Sequence, residues 1–359
     1  MKVFYVADTS LNNKSAYSQH VIKMCDGFGQ LNLYVNLLLP EIDNKIKFNY
    51  LKKNFLLNSY KSFKFLPILN KKISNFLDRL IFGFKVAQKL KDTKNSLILT
   101  RSISSSFFLS LYKTQHFLEI HNEQTSFSKF IMINLNFINS KYIKKVIFIS
   151  EALSKIYNLD KKKFIVLHDA TDPKNFSKKK KIKNIKKATY IGSFFKGRGI
   201  ELIIQLAKKF KEIEFYLYGE QKIKYRINQK NLRFFKHIKY SKVPYILSNS
   251  DILLMPYSKN VEINAKNINT ANYCSPLKMF DYLASGKVII SSRLDGICEI
   301  LNHKKNALIA NDESFETWSD IIKNLIENKY NVRRISYNSI KTAKKYSWKN
   351  RAKEIIKYN

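Results

Sequence analysis

"NYCSPLKMFDYLASGKVIISS", residues 272–292, decides how the chain is read. Ser275 can cap a first turn, and Pro276 suits the first helical position, where no N–H is needed. Leu277, Phe280 and Ala284 recur at helical spacing and predict a core-facing stripe. Gly286 is a natural stop, and "KVIISS" then reads as a buried strand. Lys278 and Asp281 stand on one side of this helix, whose first N–H groups offer a place for an anion.

Working outward, strand and helix signals alternate along nearly the whole chain. Strands are expected at 2–7, 31–39, 96–100, 116–121, 145–150 and 163–168, with a helix between the first two carrying Tyr17, Val21, Met24, Cys25 and Phe28 on one face. The pattern breaks at 172–188, where seven lysines fall within ten residues (178–187); such a run repels itself and reads as a linker. It resumes with strands at 189–194, 214–219, 232–235, 251–257, 288–292 and 307–310, then a helix with Phe315, Trp318, Ile321, Ile322 and Leu325 on one face. Apolar strands separated by amphipathic helices predict parallel sheets covered on both faces. The expected α/β architecture is therefore two Rossmann-like domains across a cleft, 1–171 and 189–340, joined by 172–188. Ligands in such sheets sit beyond the carboxyl ends of the strands.

Bulk properties agree with a globular chain. Its 359 residues suffice for two domains, and 45% are hydrophobic. No apolar run approaches the roughly 18 residues needed to span a bilayer. "MKVFYVADTSLNN" reads as a first strand rather than a signal peptide. Cys25, Cys274 and Cys298 show neither metal spacing nor a disulfide framework, so a cytoplasmic setting is expected. The net charge of +38 admits an anionic membrane, a nucleic acid or plain compositional bias. No zinc-finger spacing or RNP pattern accompanies it, so nucleic acid is disfavoured.

The second half opens with "ATYIGSFF" running into "KGRGIELIIQLAKKF". Gly192, Gly197 and Gly199 allow a tight turn and close approach to a ligand, and Lys196 and Arg198 add two cations beside a helix start. That combination suits a diphosphate; a plain turn with two solvated cations is the alternative.

Read in order, "YIGSFFKGRGIELI", "VPYILSNSDILLMPY" and "SPLKMFDYLASGKVIISS" resemble the carboxyl-terminal domain of family 4 (group 1) glycosyltransferases, the retaining GT-B enzymes. "SAYSQHVIKMCDGF", "LEIHNE", "ISEALSKIY" and "VLHDATDPKNF" fit the same family, and "YSWKNRAKEIIKY" resembles its last helix, expected over 341–359 and returning to the first domain. The resemblance implies a nucleotide-sugar donor held by the second domain, with no further cofactor, and a saccharide or lipid-linked acceptor. Lys196 matches the family lysine that neutralises the diphosphate; the arginine before it is missing, with Ser193 near its place and Arg198 as a substitute. Asp281 matches the second acid of the Glu-x7-Glu pattern that binds the ribose hydroxyls, while Tyr273 stands where the first acid would be. Ser275, Pro276 and Leu277 fall in the donor-binding turn. Lys278 has two readings, a phosphate contact or a surface partner of Asp281. His121 matches the histidine that contacts the donor sugar; His20 and His168 have weaker claims. Asn12, Asn13 and Ser15 could present amides to the donor.

No Asp-x-Asp occurs, so no metal is expected, and the cations would stabilise the leaving diphosphate. Without an obvious carboxylate nucleophile, attack on the same face of the sugar is implied, in cell-surface polysaccharide or glycolipid synthesis. A GT-B-like nucleotide-sugar epimerase, a basic nucleic-acid-binding protein and a non-catalytic scaffold are the rival readings. Finally, residues 50–76 alternate lysines with Phe, Leu and Tyr, and are expected either to touch an anionic inner leaflet or to be buried in the first domain.

Overall fold

A computed structural model describes all residues except 12–14, 43–47, 60–62, 125, 131, 133–135, 177–181, 183, 221–224, 226–228 and 261–268. Asn12 and Asn13 and much of the lysine run therefore lie outside the described residues.

The chain forms two units, Met1–His168 with Trp348–Asn359, and Asp169–Ser347. In the first, strands β1 (Lys2–Val6), β2 (Val35–Leu39), β3 (Phe63–Pro67), β4 (Ser96–Thr100), β5 (His116–Ile120), β6 (Ile143–Phe148) and β7 (Phe164–Val166) make one sheet in the order β3-β2-β1-β4-β5-β6-β7. Every pairing is parallel. Helices α1 (Ala16–Gly29), α2 (Phe48–Phe55), α3 (Phe76–Leu90), α4 (Ile103–Leu111), α5 (Ser126–Lys129) and α6 (Glu151–Tyr157) connect them. Val3, Tyr5 and Val6 are all fully buried, as a strand covered on both faces requires. Ser15 caps α1 by accepting from the Ser18 amide, and Val21, Met24, Cys25 and Phe28 then face the core.

The second unit holds β8 (Lys187–Ile191), β9 (Glu214–Tyr218), β10 (Leu232–Phe235), β11 (Ile252–Met255), β12 (Val288–Ser292) and β13 (Leu308–Ala310), ordered β10-β9-β8-β11-β12-β13. This is the Rossmann order, with its switch point between β8 and β11. Its helices are α7 (Ile200–Lys209), α8 (Val243–Ser248), α9 (Leu277–Ser285), α10 (Asp295–Cys298), α11 (Phe315–Ile326) and α12 (Val332–Lys345). After it, α13 (Trp348–Ile356) belongs to the first unit.

Three expectations need correction. The second unit begins at Asp169, and β8 starts within the stretch assigned to the linker, because Lys187 pairs in register with Glu214. The terminal helix over 341–359 is two helices. The first of them, α12, stays with the second unit, where Ser336 Oγ donates to the Gly286 carbonyl at the end of α9. The cap of α9 is Pro276, not Ser275; the Ser275 hydroxyl instead accepts from the Asp169 amide at 3.2 Å. Within 50–76, Leu51, Leu57 and Phe63 are buried, in line with one of the two placements expected there, and β3 is a strand that the lysine alternation concealed.

Candidate active site

In the second unit the candidate site lies at the carboxyl ends of β8 and β11, on either side of the switch point. Gly197 and Gly199 adopt left-handed backbone (φ 80° and 68°), and the Gly197 carbonyl accepts from the Ser258 amide. The loop is thereby laid on the segment after β11, with the Arg198 guanidinium 5.0 Å from the centroid of the Tyr257 ring. Lys278, on the first turn of α9, comes to 4.0 Å from the Tyr190 ring and 5.0 Å from the Tyr257 ring. Its Nζ is buried and has no hydrogen-bond partner, and Arg198 Nε is in the same condition. Burial first, and Arg198 second, push the Lys278 ammonium well below its ordinary range. A Cβ on Gly192 would meet Lys278 Nζ at 2.6 Å, so glycine there keeps the slot open. Two basic side chains with buried nitrogens, aromatic walls and a bare backbone turn make a receptor for a compact polyanion.

Other expected residues are placed differently. Lys196 is exposed and is not among the groups acting on Lys278. Asp281 is buried, and its Oδ1 accepts from Thr171 Oγ1 at 2.7 Å and from the Tyr240 hydroxyl at 3.0 Å. Lys278 is thus not a partner of Asp281. Tyr273 is 3% exposed and Leu277 9%, while Pro276 is half-buried; with Ser275 they shape the turn into α9. Of the residues assigned to the donor, the structure gathers Gly192, Arg198 and Lys278.

The first unit holds a second constellation. Glu119, in β5 between Leu118 and Ile120 and 2% exposed, accepts through Oε1 from His121 Nε2 at 2.9 Å and Arg351 Nη2 at 2.7 Å, and through Oε2 from the Tyr5 hydroxyl at 3.2 Å. His20 Nε2 lies 3.0 Å from the same Oε1 but off the hydrogen-bond direction. The His20 ring packs edge-on against His121 (4.6 Å) and Trp348 (4.9 Å). Burial alone would raise the Glu119 carboxyl, but Arg351, His20 and His121 hold it well below its usual range. Burial and then Arg101 lower His121 to about 3, against the pull of Glu119. A neutral His121 that donates a hydrogen bond from its Nε2–H to the carboxylate leaves Nδ1 as an acceptor. His20, Glu119 and His121 bring ligand atoms within 4.8 Å of one another, the spacing of a metal site. The shared oxygen is already taken by the Arg351 guanidinium, so a dication would have to displace it.

A pocket of about 310 Å³ opens beside this cluster at the carboxyl ends of β1, β4 and β5. Its polar lining includes Asp8, Arg79, Arg101, His121 and Gln124, against Phe76, Leu80, Ile103 and Phe107. Asp8 accepts from Tyr17 and from Arg79, each at 2.7 Å, and Arg101 stacks 3.8 Å from the Tyr17 ring centroid.

A family profile, Glycosyl transferases group 1, matches residues 171–342, nearly the whole second unit. Residues 171–342 are thus similar to the group 1 glycosyl transferases. The full chain has the GT-B fold of two Rossmann-like units. It resembles a glycosyltransferase from Rickettsia africae, with a TM-score of 0.74 at 13% identity over 99% of this chain and 97% of that one. Anabaena HepE, solved with UDP and glucose, gives 0.70 at 12% over 99% and 98%. A Staphylococcus aureus TarM variant, solved with fondaparinux, alpha-GlcNAc-glycerol and UDP, gives 0.72 at 13% over 100% and 99%. At these identities the likeness is one of fold. No curated protein matches the chain.

In the group 1 domain, sequence reasoning missed Tyr190 and Tyr257, whose aromatic character reads as core until the loop is folded over them. Outside it, Arg351 had no local signal, since its partner Glu119 lies 232 residues away. Glu119 did have one: a carboxylate in the apolar run "HFLEI" must be paired if buried.

Proposed function

We propose that the protein is a retaining glycosyltransferase that moves a sugar from a nucleoside-diphosphate sugar to a saccharide or lipid-linked acceptor, in cell-surface polysaccharide or glycolipid synthesis. The observation that carries this reading is the buried, unpartnered Lys278 Nζ beside Arg198 and Gly192. The diphosphate gains charge as the bond from the anomeric carbon to its phosphate oxygen breaks, and fixed cations in a dry slot stabilise that charge without a metal. The acceptor hydroxyl oxygen bonds to the anomeric carbon on the face the phosphate leaves, and its proton passes to the departing phosphate oxygen. Lys278 and Arg198 take the diphosphate, with Lys196 as an exposed outer cation. The first unit's pocket takes the acceptor, and the Nδ1 lone pair of His121 receives a sugar hydroxyl. HepE and TarM are each solved with UDP and a saccharide, which supports a nucleotide and a saccharide as the two kinds of ligand.

No described helix is long and apolar enough to cross a membrane. As a separate part of the proposal, the enzyme is cytoplasmic and peripheral and meets lipid-linked acceptors at an anionic leaflet.

The test is a thermal-shift screen with nucleoside diphosphates and nucleotide sugars. A donor present at 100 times its Kd should add about 2.7 kcal/mol of stability. If no nucleotide raises the melting temperature, the donor reading fails.

A further inference from the structure

Helix α3 is apolar on two sides. Its inner stripe of Phe82, Val86 and Leu90 is buried, and Gly83 approaches α4 so closely that a Cβ would lie 2.6 Å from the Ser104 carbonyl carbon. Its outer stripe repeats at helical spacing as Leu77, Ile81 and Phe84, which are 61%, 37% and 39% exposed. A helix seated on a core ordinarily turns polar residues outward here. Lys85 and Lys89 follow on the same side, both exposed. The Phe84 ring packs against Phe108 at 5.6 Å, which continues the apolar surface onto α4, where Leu111 is 60% exposed. The same α3 supplies Phe76, Arg79 and Leu80 to the pocket.

We propose that this outer stripe of α3, with Leu111, docks the protein on a bilayer containing anionic lipid. Leu77, Ile81, Phe84 and Leu111 enter the boundary between headgroups and acyl chains, and Lys85 and Lys89 meet lipid phosphates. A second copy of the chain is the wrong occupant, because each copy carries a net charge of +38 and would repel the other. An anionic surface is attracted by the same charge. The helix that touches the lipid is also a wall of the acceptor pocket, which fits a lipid-linked acceptor. The docking surface deepens, and rests on, the peripheral placement proposed above; the donor reading stands apart from it.

The test is co-sedimentation of the full chain with phosphatidylcholine vesicles, with and without phosphatidylglycerol, at low and high salt. Wild type should sediment with the anionic vesicles only and be released by salt. Leu77→Gln/Ile81→Gln, and separately Leu111→Gln, should weaken partitioning while keeping the wild-type melting temperature. Lys85→Gln and Lys89→Gln should each lower it about five-fold. Equal partitioning of wild type onto neutral and anionic vesicles, or wild-type partitioning of all these variants, would overturn the proposal. A nucleotide thermal shift on the same preparations keeps the two ideas apart: its loss in wild type sinks the donor reading and leaves the docking result standing.

Discussion

Burying Lys278 Nζ beside Arg198 without an acceptor costs the fold stability. Lys278→Met should therefore raise the melting temperature while weakening nucleoside-diphosphate binding by about 1.5–3 kcal/mol, the range for a hydrogen bond to a charged group. Paired measurements of both quantities check it, and Lys196→Ala should lose less affinity. Because the Lys278 ammonium is held below its ordinary range, an arriving anion should draw a proton onto it. Calorimetry in buffers of different ionisation enthalpy should show proton uptake on binding, with affinity falling as pH rises. Asp281 belongs to a different class. Its carboxylate holds the Thr171 and Tyr240 hydroxyls inside the unit, so Asp281→Ala should cost about 2–3 kcal/mol in urea unfolding. From sequence, Lys278 and Asp281 are three apart on one helix and invite pairing. Only the packing of Tyr190, Tyr257 and Tyr240 around α9 sends them to separate neighbours.

Among elements, the alternation of strands and helices was legible because a strand buried on both faces leaves an unmistakable apolar run. The strand at 96–100 coincides with β4 and that at 232–235 with β10. β3 was hidden because Lys64 interrupts it at the sheet edge, where a lysine can reach water. The ends of α12 and α13 were hidden because the turn at Tyr346–Ser347 carries no glycine or proline. Docking of α13 depends on close approach: a Cβ on Gly27 of α1 would stand 2.5 Å from the Trp348 carbonyl oxygen. Gly27→Ala should push α13 off the first unit, against the usual gain from alanine in a helix. A net loss of 1–3 kcal/mol, typical of overpacking, and faster amide exchange over 348–356 are the expected readouts.

At the scale of the molecule the two units should respond differently to acid. His121 and His116 are held at about 3 and about 4 by burial, against about 6.5 in an unfolded chain. Between those values the unfolded first unit binds more protons than the folded one. Its stability is therefore present above about pH 6.5 and lost as pH falls toward 3–4. Trp348 reports on the first unit and Trp318 on the second. In variants retaining one or the other, Trp348 emission should change at the higher pH.

The chain leaves the first unit at His168 and comes back at Trp348, and it brings Arg351 to the Glu119 carboxylate. During synthesis the second unit is a continuous segment that can close as soon as it emerges from the ribosome. The first unit must wait, with a buried acid still lacking its counter-charge, until Trp348–Asn359 has been made. A nascent chain halted before residue 348 would thus hold a finished second unit and a first unit unable to settle, so the order of completion runs opposite to the order of synthesis.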